Sequence, residues 1–85
     1  MSQTIEKRLL RYMPKKLIPY IAWLDHDAGY RPGTYVYFVT IHINGKYISP
    51  DPCDSVSELQ YAGKWLLKAV NDISNGADID LYADR

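Results

Sequence analysis

Thr34–Ser49 reads TYVYFVTIHINGKYIS, and the reading of this stretch decides the fold. Ten residues of nearly unbroken β-branched and aromatic character run into Asn44-Gly45, and a second short run follows. A two-residue type I′ turn needs positive φ at both central positions, which Asn and Gly tolerate, so the stretch predicts a β-hairpin. With Asn44 and Gly45 as the loop, Ile43 faces Lys46, His42 faces Tyr47, Ile41 faces Ile48 and Thr40 faces Ser49. Side chains alternate across a strand, which divides the hairpin into two faces. One carries Tyr35, Tyr37, Val39, Ile41, Ile43 and Ile48, and is the expected core face. The other carries Thr34, Val36, Phe38, Thr40, His42, Tyr47 and Ser49. It is too aromatic for an ordinary wet surface, and function is expected there.

Upstream, Ser2–Met13 reads as a short helix with Ile5, Leu9 and Tyr12 or Met13 on one stripe. Ser2 or Thr4 would cap it and Pro14 would stop it. Lys7, Arg8, Arg11, Lys15 and Lys16 lie mostly off that stripe. They form either a solvated basic face or one that contacts anions. Leu17–Leu24, LIPYIAWL, is expected to be a strand with Pro19 at its start or on an edge. A helix continuing from Pro14 is the competing reading. Asp25–Gly33 is the expected connection into the hairpin.

Downstream, Pro50-Asp51-Pro52-Cys53-Asp54 excludes regular structure. Ser55-Val56-Ser57-Glu58 is a capping box, opening a helix to about Ser74 with Leu59, Ala62, Leu66, Ala69 or Val70, and Ile73 buried. Gly63 beside this stripe predicts close approach to the sheet, and Asn75-Gly76 a left-handed stop. Residues 1–76 are expected to form one α+β domain of order α-β-β-β-α, a three-stranded antiparallel sheet with both helices on one face. Residues 77–85 form an acidic tail that Ile79 and Leu81 could dock.

Composition narrows the function classes. The 85 residues suit a single small domain, and eight Tyr suit half-exposed sheets and binding surfaces. The one cysteine, Cys53, precludes an internal disulfide. The amino-terminal segment lacks the apolar core of a signal peptide and no apolar run reaches membrane-span length, so a cytoplasmic setting with no membrane partner is expected. Residues 1–46 carry an excess of four positive charges and residues 47–85 an excess of four negative ones. A uniformly basic nucleic-acid binder is thereby excluded, but a dipolar one is not.

Asp25-His26-Asp27 could hold a metal or tune a base, yet adjacent turn residues rarely converge on one centre. His42 beside Tyr47 reads most simply as a cross-strand aromatic pair. Cys53 between Asp51 and Asp54 would be a poor nucleophile, since the carboxylates raise its pKa. No phosphate loop, zinc spacing or catalytic triad is recognisable, so an enzyme, a metal and a cofactor are not expected. Binding is. Phe38, Thr40, His42 and Tyr47 make an apolar patch with hydrogen-bonding edges, the kind that partners or a second copy of the chain cover. Tyr61 and Trp65, at i, i+4 on the outer side of the last helix, are a second candidate surface unless the tail covers them.

The strand YVYFVTIHI, the turn Asn44-Gly45-Lys46, the strand Tyr47-Ile48-Ser49 and the helix entry Asp54–Glu58 followed by Ala62 resemble the arm-binding domain of phage-type tyrosine integrases and the related AP2 domains. The resemblance covers residues 35–70. It implies that the sheet enters the DNA major groove, with Phe38, Thr40, His42, Lys46 and Tyr47 in that role. Phosphate contacts would come from Arg31 and from the amino-terminal Lys7, Arg8, Arg11, Lys15 and Lys16. The element order is also similar to double-stranded-RNA-binding domains, but Ser55–Glu58 stands where those place a basic cluster. Two functions are therefore expected of a non-enzymatic binding domain. One is binding double-stranded DNA through the open sheet face and basic first helix. The other is binding protein as a small inhibitor or adaptor of the kind phages and mobile elements encode.

Overall fold

The structure, a computed structural model, describes residues 4–83. Asn44 and Gly45 take φ of 52° and 77°, closing the turn. Strands β2 (Tyr35–Ile43) and β3 (Lys46–Ile48) pair with Ile43 opposite Lys46, His42 opposite Tyr47 and Ile41 opposite Ile48. Thr40 and Ser49 sit beyond β3 but still meet, their hydroxyl oxygens 2.8 Å apart. Where β3 ends, Cys53 takes over the edge, exchanging two backbone hydrogen bonds with Tyr37.

The third strand, β1 (Ile21–Ala28), pairs antiparallel with the other side of β2, so the sheet order is β1-β2-β3. It includes Asp25–Ala28, which the sequence places in the connection; the loop is only Gly29–Thr34. Its register slips once, with Ile21 opposite Ile41 but Trp23 opposite Thr40. The extra residue, Ala22, is a β-bulge. It resets the alternation, so that Ile21 and Leu24 are both buried while Trp23 turns to the opposite face.

Ser55 caps helix α1 (Val56–Ser74), its Oγ accepting from the Glu58 amide. Glu58 reaches back to the Asp54 amide rather than to that of Ser55, one residue outside the expected box. The buried stripe is Leu59, Ala62, Gly63, Leu66, Ala69, Val70 and Ile73. At its end the Gly76 amide bonds Ile73 O and the Ala77 amide bonds Asp72 O, a Schellman stop with Gly76 at φ +100°.

Three further expectations, on the amino-terminal half and the tail, are corrected. The first segment is not an α-helix. Glu6 donates to Leu24 O and the Leu24 amide to Thr4 O, so residues 4–6 lie parallel to β1, and only Lys7–Tyr12 coil, as a 3-10 helix. Thr4 is therefore no cap, and Ser2 lies outside the described residues. Leu17–Leu24 is neither wholly strand nor α-helix. Lys15–Tyr20 form a second 3-10 helix after Pro14, containing Pro19, and the strand begins at Ile21. The missing amides of Pro14 and Pro19 interrupt α-type bonding, whereas short i to i+3 turns survive. Finally, the acidic tail docks through Ile79 and Tyr82, with Leu81 exposed; Asp80–Ala83 make a single turn, α2.

Leu9, Met13 and Leu17 of the 3-10 segments join Val39, Ile41, Ile43, Ile48 and the α1 stripe in one core. All helical segments thus cover one face of the sheet, as expected of this small α+β fold. Gly63 makes room not for the sheet but for the amino-terminal segment: a Cβ there would lie 3.0 Å from Pro14 Cδ and 3.1 Å from Met13 Cε.

Candidate functional site: the open sheet face

The uncovered face of the sheet is built by alternation on both sides of the bulge. β2 contributes Val36, Phe38, Thr40 and His42; β3 contributes Tyr47; β1 contributes Trp23, Asp25 and Asp27. Two aromatic stacks dominate it. Trp23 lies over Phe38 with ring centroids 5.2 Å apart and planes 5° from parallel. His42 lies over Tyr47 at 4.6 Å and 30°. Between them Thr40, only 5% exposed, is bonded to Ser49. His42 and Tyr47 are exposed, and Phe38 and Trp23 half-buried. Trp23 is the residue the sequence reading omits, because a bulge inside β1 leaves no trace in composition.

The two carboxylates on this face are turned sideways. Asp25 Oδ1 accepts from the His26 amide and Asp27 Oδ1 from the Ala28 amide, each at 2.8 Å. These amides point away from β2, along with that of Leu24, which Thr4 satisfies. The outer edge of β1 is thus closed by residues 4–6 and by two side-chain caps.

The expected cations do not gather at this face. Lys46 at the hairpin turn is held by Asp80, Nζ to Oδ1 2.7 Å, which raises its pKa. Arg31 sits in the loop at the other end of the sheet and is exposed. Arg8 and Arg11, on the first 3-10 helix, and the exposed Lys15 and Lys16, on the second, belong to the layer on the opposite side. Phe38, Thr40, His42 and Tyr47 are brought together; Lys46, opposite Ile43, falls on the covered side with Asp80, and the other basic residues are not brought to the open face either.

The remaining candidates resolve as follows. Trp65 packs edge-on against Tyr82, 5.7 Å between centroids, so the tail covers it. Tyr82 donates to Asp72 Oδ2, and Lys68 pairs with the same carboxylate. Tyr61 is 73% exposed and lines an open groove with Pro50, Pro52 and Trp65. Cys53 is buried, and burial, then Glu58 and Asp54, push its thiol pKa up, away from reactivity.

His26 does meet carboxylates, though not as a flanked turn residue. Its Nδ1 is 2.7 Å from Glu6 Oε2, without the alignment of a good hydrogen bond, and Asp25 is close by. Arg8 bridges this group, Nε to Glu6 at 3.1 Å and a terminal nitrogen to His26 Nε2 at 3.0 Å. Partial burial pulls the Glu6 pKa upward, but Arg8 and then His26 outweigh it and hold the group ionised. Arg8 thus joins Glu6 and His26 in one salt link.

Among known proteins, no family model, no curated sequence and no solved structure matches this chain. No described helix is long and apolar enough to cross a membrane.

Proposed function

We propose that this domain acts by binding, not by catalysis, and that its partner is a protein seated on the open sheet face. One observation carries the reading: two aromatic stacks lie on an uncovered sheet face to which no strand contributes a cation, since Lys46 lies opposite Ile43 on the covered face and is paired with Asp80. Stacked Trp, Phe and Tyr with a hydroxyl pair between them supply apolar area and fixed hydrogen-bonding points. These are the residue types that anchor protein interfaces. A nucleic acid could stack on the same rings, but its phosphates need neutralising and would meet Asp25 and Asp27 instead. The integrase-like reading suffers from the same deficit. An inhibitor or adaptor is the role that a rigid domain of this size, with one exposed recognition face, fits best.

The test is quantitative affinity capture from source cells with wild type, Phe38→Ala and Tyr47→Ala, each shown to fold by circular dichroism. A protein enriched by wild type and lost with both variants supports the reading, and Tyr61→Ala should retain it. Labelled duplex and single-stranded oligonucleotides form the second arm. Binding that is strong at low salt, falls steeply as salt rises and is lost in Phe38→Ala would transfer this face to nucleic acid.

A further inference from the structure

Across the sheet from the open face lies a pocket of about 280 Å³, near the lower end of the size range of small-ligand sites. It exists because the core face outruns its cover. Tyr35, Tyr37 and His26 continue that face past the start of α1, and Val56, near the cap, closes one side. The first 3-10 helix closes another. Three residues per turn place side chains i and i+3 one above the other, so Arg8 and Arg11 both line the pocket. The expected α-helix over Ser2–Met13 would have offset them.

The lining has two parts. One is cationic. Arg8 is tied to Glu6 and His26, which fixes its guanidinium in position. Arg11 makes no ion pair among the described residues and lies over the Tyr12 ring, 5.7 Å from its centroid. Glu6 offsets one positive charge, and Arg11 is the uncompensated one. The other part is aromatic. The His26 ring lies edge-on to Tyr35 at 5.3 Å and 30° from parallel with Tyr37 at 6.3 Å. Tyr35 remains 51% exposed. Guanidinium groups favour phosphate oxygens through charge-assisted hydrogen bonds, and tyrosine faces favour flat rings.

We infer that this pocket binds a phosphate monoester that also carries a planar aromatic ring, with Arg11 and Arg8 on the phosphate and Tyr35 and Tyr37 against the ring. The site lies on the other side of the sheet from the open face and does not depend on the protein-binding reading. Phenyl phosphate, with the ester on the ring itself, and a nucleoside 5′-monophosphate, with a ribose between phosphate and base, are two sources of that pairing.

The experiment is an NMR titration of the full chain at low salt with phenyl phosphate, a nucleoside 5′-monophosphate, inorganic phosphate and benzyl alcohol. It monitors the Arg side-chain N–H and Tyr ring signals. One of the two ring-bearing esters should shift the Arg11, Tyr35 and Tyr37 signals saturably, at least about tenfold more tightly than inorganic phosphate, and benzyl alcohol should not. Whichever ester binds tighter names the source. Arg11→Gln, which breaks no ion pair, should weaken that ester about tenfold with the amide spectrum otherwise unchanged. Tyr35→Leu should erase the preference over inorganic phosphate. No saturable shift by about 10 mM ester, equal binding of inorganic phosphate, or unchanged affinity in Arg11→Gln overturns the inference.

Discussion

Gly63 shows how a single hydrogen can set the sign of a substitution. Alanine is the better helix former by about 1 kcal/mol in a helix interior. Here its methyl would press on Pro14 Cδ and Met13 Cε at 3.0 and 3.1 Å. Met13 can yield but the proline ring is stiff, and overpacking costs about 1–3 kcal/mol. Gly63→Ala should therefore lose about 1 kcal/mol net, seen as a lower urea midpoint at constant slope. A second residue-scale expectation concerns Tyr82 and Asp72. The hydrogen bond to Asp72, then desolvation and its charge, raise the tyrosine pKa, while Lys68 and Tyr82 lower that of Asp72. A raised tyrosine pKa means the folded state holds the proton more tightly. That contribution is complete below the ordinary tyrosine pKa of about 10 and fades as pH climbs through the folded value. The Asp72 contribution is present above the ordinary aspartate value and fades as pH falls through the depressed one. Absorbance titration should show one tyrosine ionising late, and Asp72→Asn should remove that late step. Neither Tyr82 nor the Met13–Pro14 seat was legible in sequence. Spacing along α1 marks Gly63 as close to something, but not to what.

At the scale of elements, local chemistry made the hairpin and α1 readable. Asn44-Gly45 fixes a register by turn geometry alone, and Ser55, Glu58 and Gly76 mark helix ends by the amides and carbonyls left open there. β1 resisted because a bulge breaks its period, and the amino-terminal segment because prolines and a parallel contact at Leu24 override its helical stripe. The edge of β1 is guarded by short-range bonds: Asp25 to the next amide, Asp27 likewise, and Thr4 and Glu6 on Leu24. Edge strands with free amides invite pairing with another chain. Asp25→Thr with Asp27→Thr keeps strand propensity but frees the His26 and Ala28 amides and removes two charges. Sedimentation should then show concentration-dependent self-association that wild type lacks.

For the molecule as a whole, the 3-10 segments belong to the core and are not an added strap. Leu17 is as fully buried as Leu66 of α1, both at 0% exposure. Leu17→Ala and Leu66→Ala should each cost about 2–5 kcal/mol. A small domain holds only about 0.05–0.15 kcal/mol per residue, so either change should leave the chain partly unfolded at 37 °C, read by near-ultraviolet circular dichroism. The overall layering followed from the hairpin's two faces. The candidate sites followed less well. Phe38, His42 and Tyr47 were legible from alternation, whereas Trp23 and the Arg8–Arg11–Tyr35 pocket depend on contacts between distant segments that pattern does not encode.

The seat of Gly63 on Met13 and Pro14 also bears on the order of events during synthesis. The amino-terminal segment is made before the surface it needs on α1, which follows the whole sheet in the chain. Until Ser74 has cleared the exit tunnel, Leu9, Met13 and Leu17 have only the strands to shelter against, and the hairpin alone is marginal in water. Burial of the amino-terminal segment is thus expected to wait for α1. Nascent chains arrested before Ser74 emerges should be cut readily by protease near Lys15, and chains arrested on an added linker that carries Ser74 clear of the tunnel should resist.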